Sequence, residues 1–311
     1  EDCKDSNAQA SVRTSLNEQC AALIRNAESS DPDIKTVRSM KGEFIEMPLV
    51  YPNPKKTPGS TSMLYGRIMW SNVGADGRLY VPKEKRPVVI VVHTAVGQQE
   101  DFITWRMKSL AANGYVALAV DIFGTPHAIW DPKLGKEIRA PLYENRKLMV
   151  DRLKAGIKAA SEQVVQADVS RLAIIGFCFG GMVALDTVKS CRFPHIKVAS
   201  SFHGILDAHP LYNRNEEKLA KFGEVQTKAL VFHGGSDPFI SKENKEAFRR
   251  QMDSLGIPWQ MREFHGVKHA FTRPEKITET DFANGFGYNE EAATQSWEET
   301  IALLKQTFDG L

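Results

Sequence analysis

A short apolar run that breaks into a cysteine framed by glycines constrains this chain more than any other stretch. Leu172 to Ile175 reads as a strand, Gly176-Phe-Cys-Phe-Gly-Gly181 as a tight turn, and Met182 to Lys189 as a helix. A residue on such a turn sits on strained backbone. Side chains at the flanking glycine positions would collide with the neighbouring strand and helix. The helix that starts there aims its N-terminus at the sulfur of Cys178 and so favours thiolate over thiol. The bland alternative is a buried, inert cysteine in a glycine-rich turn.

Two downstream segments separate the alternatives. Lys228-Ala-Leu-Val-Phe-His-Gly-Gly-Ser-Asp-Pro238 is a strand that opens into a loop carrying Asp237. Trp259-Gln-Met-Arg-Glu-Phe-His-Gly-Val-Lys-His-Ala-Phe271 is a strand and then a loop carrying His269. Alone, Asp237 would be a turn residue before Pro238, and His269 a surface histidine. In the order nucleophile, acid, histidine they form a triad: the aspartate fixes the tautomer, and the histidine exchanges a proton with the nucleophile. His233 and His265 are rival bases, but both fall at strand ends where local packing is the commoner role.

From Arg86 onward, apolar runs alternate with helical patterns. The strand candidates are Val88–His93, Tyr115–Asp121, Leu172–Phe177, Val198–His203, Ala229–His233 and Gln260–Phe264. The helix candidates are Phe102–Asn113, Tyr143–Val165, Gly181–Lys189, Lys242–Leu255 and Glu290–Phe308. Such alternation means βαβ units and an α/β fold, a mostly parallel central sheet with helices on both faces. Sites on these sheets lie at the carboxyl ends of the strands, where Thr94, Cys178, Asp237 and His269 all fall. Residues 1–60 read as an N-terminal extension, with a helix over Asn7–Ala27 and a Pro-rich arm over Pro48–Gly59. Residues 61–311 form the main domain.

Gly176-Phe-Cys-Phe-Gly-Gly181, Gly234-Gly-Ser-Asp237 and His269-Ala-Phe-Thr-Arg273 together resemble the dienelactone hydrolase family, from about residue 80 to the C-terminus. The stretches Pro87–Gly97 and Gly114–Gly124 add to the likeness. The resemblance implies an α/β-hydrolase fold and a Cys-Asp-His hydrolase of small esters or lactones that needs no metal or cofactor. Cys178 would be the nucleophile, His269 the base and Asp237 its orienter, working through a thioester acyl-enzyme. The backbone N–H of Phe179 and that of Ala95 would form the oxyanion hole. Arg273 would hold a substrate carboxylate, and Arg139 or Arg146 would supply a second arginine. The chain departs from the family pattern at Thr94, a position that would contact substrate and where the best-known members carry a glutamate that restrains the nucleophile. Threonine cannot take up a thiol proton at neutral pH. Glu100 would have to fold back to replace that carboxylate.

The chain has 311 residues, 42% hydrophobic, and a net charge of +2. This is enough for one substantial core, and no basic stripe points to nucleic acid or a membrane surface. No apolar run approaches the ~20 residues of a membrane helix. A monomer acting on a small molecule is expected. The first residue is Glu1, which reads either as a mature end left by signal cleavage, hence a secreted or lumenal protein, or as a trimmed cytoplasmic chain. Cys3, Cys20 and Cys191 allow at most one bridge. A continuous helix would hold Cys3 and Cys20 ~25 Å apart, so that pair needs the chain to double back. Two other functions stay open: a non-catalytic scaffold that binds a ligand or partner chain, and a redox role for Cys178 with Cys191, which a straight helix would hold too far away.

Overall fold

The computed structural model describes residues 18–209 and 226–308. Its centre is one eight-stranded sheet in the order β1 (Phe44–Pro52), β2 (Met63–Ser71), β4 (Val116–Val120), β3 (Arg86–Val92), β5 (Ala167–Phe177), β6 (Ile196–Phe202), β7 (Lys228–Gly234) and β8 (Trp259–Phe264). The β1–β2 and β2–β4 pairs are antiparallel, and every pairing from β4 to β8 is parallel. Strands covered on both faces read as unbroken apolar runs, which is why β3 to β7 were legible.

The two faces follow from alternation along each strand. Val88, Ile90 and Val92 of β3 join a layer with Leu153 of α5 (Arg146–Gln163), Val183 of α6 (Phe179–Lys189) and Phe248 of α7 (Lys242–Ser254). Val89 and Val91 face the other way. They belong to a second layer with Phe102 and Ile103 of α3 (Asp101–Ala112), Leu304 of α9 (Glu290–Phe308), Ile34 of α2 (Pro32–Ser39) and Ile24 of α1 (residues 18–30). The expected mostly parallel sheet with helices on both faces is therefore present. No helix among the described residues is long and apolar enough to cross a membrane.

Three features differ from the sequence reading. Residues 44–52, assigned to the extension, form β1, paired over nine residues with the unforeseen β2. Pro48 and the mostly exposed pattern of β1 hid it, and proline is tolerated there because an edge strand leaves one row of N–H groups unpaired. The expected Tyr143–Val165 helix is two helices, α4 (Pro132–Glu144) and α5, broken at Asn145. Asp131 caps α4 by accepting from Leu134 N, and Pro132 follows at its first turn, a start signal that Pro141 inside the helix obscured. The N-terminal helix runs on to residue 30. Its expected start at Asn7 and Cys3 lie outside the described residues.

Two ties hold the flanking segments in place. Asp31 caps α2 through Asp33 N and Ile34 N, and also accepts from Trp105 Nε1 (3.0 Å) and Ser109 Oγ (2.7 Å) of α3. The buried Arg152 of α5 donates to Ile122 O (2.6 Å), Lys55 O (2.9 Å) and Asn53 Oδ1 (3.1 Å). It thereby fixes the Pro-rich loop against the carboxyl edge of the sheet.

Candidate active site

The site is built at the carboxyl ends of β3, β5, β7 and β8. Cys178 joins β5 to α6 at φ +56°, ψ −116°, a conformation that non-glycine residues rarely adopt. The surroundings force it. A Cβ on Gly176 would lie 2.0 Å from Gly180 O, and one on Gly180 would lie 2.2 Å from Val92 O. The elbow is thus held between β3 and its own helix, with Cys178 N donating to Phe202 O at 3.0 Å. Cys178 is half-buried at the N-terminal end of α6.

Asp237 lies in the turn after β7, and His269 in the loop after β8. His269 Nδ1 donates to Asp237 Oδ2 at 2.6 Å, while Asp237 Oδ1 accepts from Phe239 N at 2.9 Å. The loop of His269 is pinned on both sides, by its N–H to Gly285 O (3.1 Å) and by its carbonyl from Gly287 N (2.9 Å). The imidazole also interacts with the Cys178 thiol. Burial alone would raise the thiol and lower the imidazole. The mutual attraction of thiolate and imidazolium outweighs it: the Cys178 pKa falls below its ordinary value, aided by Phe179 N–H and Arg273, and that of His269 rises to about 10, aided by Asp237. Phe239 and Phe286 pack edge-on to the His269 ring at 5.1 Å and 5.7 Å. Of the rival bases, His265 is exposed, and His233 is buried in β7 with its pKa lowered by burial.

The loop after β3 carries Ala95. His93 Nδ1 donates to Thr94 O at 2.7 Å and its Nε2 accepts from Ile122 N at 3.1 Å, which sets its tautomer. Because the trans peptide places C=O and N–H on opposite sides, fixing Thr94 O aims the Ala95 N–H the other way. That N–H has no hydrogen-bond acceptor among the described residues. Ala95 O accepts from Arg139 Nη1 at 2.8 Å, and Gln98 Nε2 ties the loop to Tyr65 O at 2.6 Å. Arg146 is already occupied by Asp207, at 2.7 Å and 2.5 Å, with Asp186 at 3.5 Å. Of the two candidate arginines, only Arg139 therefore touches the loop.

Arg273 and Thr94 belong to a buried ionic cluster. Arg273 Nη2 lies 2.9 Å from Glu100 Oε2, its Nε pairs with Glu275 Oε1, and its Nη1 donates to Thr94 Oγ1 at 3.2 Å. Thr94 Oγ1 in turn donates to Glu100 Oε1 at 2.5 Å, so Glu100 does fold back toward the loop that begins with Thr94. The arginine expected to hold a substrate carboxylate is thus paired with two carboxylates of the chain. Glu275 was not foreseen, although it stands two residues past Arg273. His203 was also missed. Its place at the end of β6, a carboxyl edge, was the available signal. It is fully buried at φ +41°, meets Thr272 Oγ1 at 2.8 Å and sits 5.1 Å from the His269 ring. Burial and the neighbouring His269 and Arg273 charges keep it neutral. Tyr143 reaches the site as well, its ring 5.9 Å from that of Phe179.

Cys178 carries a free thiol and is separated from Cys191 by the whole of α6, which the redox reading would have to bridge. Among the described residues no group of three or more His, Cys, Asp or Glu is arranged to hold a metal ion.

The model of the dienelactone hydrolase family matches residues 75–308. A Bradyrhizobium protein named "Probable 2-oxo-3-(5-oxofuran-2-ylidene)propanoate lactonase" is 27% identical over 251 residues, covering 76% of this chain and 93% of its own. Among solved structures, a dienelactone hydrolase-like promiscuous phosphotriesterase from metagenomic libraries is 26% identical with a TM-score of 0.69, covering 85% of this chain and 99% of the other. A Pyrobaculum calidifontis esterase is 14% identical with a TM-score of 0.56 over 96% of this chain and 92% of its own, and so shares the fold.

Proposed function

The chain belongs to the dienelactone hydrolase family and is a hydrolase of lactone or ester bonds, and from that premise we propose that it cleaves small esters or lactones by a Cys178–His269–Asp237 triad. The observation that carries the reading is the imidazole of His269, hydrogen-bonded through Nδ1 to Asp237 and interacting with the thiol of Cys178. The Cys178 thiolate attacks the carbonyl carbon. The electron pair of the C=O moves to oxygen, where the N–H groups of Phe179 and Ala95 receive it. As the tetrahedral species collapses, imidazolium His269 protonates the departing alkoxide, leaving a thioester on Cys178. Neutral His269 then takes a proton from water, hydroxide attacks the thioester, and the acid leaves as the thiolate is restored. His93 and Arg139 hold the peptides on either side of Ala95, so the donor is in place before substrate arrives.

The test is turnover of a para-nitrophenyl ester by the wild type, Cys178→Ala and His269→Ala. Each substitution should lower kcat by ~1000-fold or more, and the double variant should lose little beyond the worse single one, because the residues act as a unit. Acid-quenched wild type should carry an acyl adduct on the peptide of Cys178. A Cys178→Ala variant that kept most of its activity would refute the assignment.

A further inference from the structure

We infer that the site accepts acyl groups without a negative charge, and that Glu275 enforces this by withdrawing Arg273 from the substrate. The inference rests on the proposed hydrolase activity and concerns what enters the same site.

Arg273 is a guanidinium close to the reaction: its charge is among those that favour the Cys178 thiolate, and its Nη1 reaches Thr94 beside Ala95. Left unpaired, its guanidinium would present a fork matched to a carboxylate. Here each nitrogen is already engaged: Nε by Glu275, Nη2 by Glu100 and Nη1 by Thr94. The side chains are 7%, 2% and 0% exposed for Arg273, Glu275 and Glu100, so water does not screen the group. Two carboxyl groups and a hydroxyl already occupy the one guanidinium behind the nucleophile. An anionic acyl group would have to displace one of these partners, or stand without a counter-charge where an oxyanion is about to form. Either raises the barrier for the anion alone. Arg146 offers no alternative, because Asp207 and Asp186 hold it, and Arg139 is turned to the Ala95 carbonyl, to which its Nη1 donates at 2.8 Å. The mouth agrees with an uncharged ligand. Phe239 and Tyr143 stand 48% and 37% exposed beside His269 and Phe179. Trp130, 46% exposed, comes directly after Ile129, whose N–H bonds Val96 O in the loop of Ala95.

The experiment compares para-nitrophenyl pentanoate with mono-para-nitrophenyl glutarate, which replaces the terminal methyl by a carboxylate, on the full chain at neutral pH. The wild type should favour pentanoate in kcat/KM by ~10-fold or more, the scale on which a misplaced charge or group is discriminated. Glu275→Gln replaces one of the two carboxyl groups by an amide and keeps the side chain's shape. It should shift the ratio toward glutarate by ~5-fold or more, mainly through a lower KM for the anion. Glu275→Asp, which keeps the charge, should stay on the wild-type side. A wild type that takes both esters equally, or a Glu275→Gln ratio equal to that of the wild type, overturns the inference. Failure of the wild type on both esters overturns the hydrolase reading, and this inference with it.

Discussion

At the scale of residues, the chemistry of the site divides by how far apart in the chain its partners lie. Cys178, Asp237 and His269 were legible because each sits in a local signature, a glycine-framed turn or a loop after an apolar strand. The Thr94–Glu100–Arg273–Glu275 cluster was not, because it joins two loops from opposite parts of the chain and no spacing rule reports which loops meet. The thiolate–imidazolium pair gives a definite pH dependence. As pH falls through the depressed Cys178 value, the sulfur takes a proton and the proposed nucleophile is lost. As pH rises through the elevated His269 value, about 10, the imidazolium loses the proton that the leaving alkoxide needs. kcat/KM should therefore form a broad plateau, with its acid limb below the ~8.5 of a free thiol. Iodoacetamide gives an independent reading. Burial and the nearby Glu275 raise the Cys20 thiol, so at neutral pH Cys178 should be alkylated well before Cys20, as tracked by peptide mass mapping. Alkylation of both at equal rates would mean that Cys178 is an ordinary thiol.

At the scale of elements, what escaped the sequence reading was what propensity opposes. β1 carries Pro48 in its middle and α4 carries Pro141, and each is tolerated for a reason of position: an open sheet edge for the strand, a capped N-terminus and a buried apolar stripe of Ile138 and Leu142 for the helix. The regular helices over α3, α7 and α9 fell close to their expected limits because their apolar spacing runs unbroken. The N-terminal helices are attached by a small number of strong contacts, which makes their docking testable. Asp31→Ala removes the cap of α2 and leaves Trp105 Nε1 and Ser109 Oγ without their acceptor. A loss of about 2–3 kcal/mol is expected, combining one cap with two hydrogen bonds to a carboxylate. Urea unfolding monitored by tryptophan fluorescence measures it. A change within ~0.5 kcal/mol, the range of an ordinary surface substitution, would mean that α1 and α2 are held by their apolar faces alone.

At the scale of the whole molecule, two apolar layers sandwich a sheet whose strand order departs from chain order, and the site lies along one edge of it. The parallel strands announced themselves by composition. Their order did not, since each pairing is a choice among strands of nearly identical character. That arrangement has a consequence in time. The proposed nucleophile Cys178, base His269, acid Asp237 and oxyanion donor Ala95 each come after a different strand, and β3 must lie between β4 and β5 before the elbow has the wall that Val92 provides. No stretch of consecutive residues can assemble the machinery, and contacts between distant segments are the slow ones to form. On dilution from urea, far-ultraviolet ellipticity should recover first and ester turnover last, with an interval in which the helices are present and the enzyme is silent. Superimposable recovery of the two signals would show instead that the strands align in the same step that forms the helices.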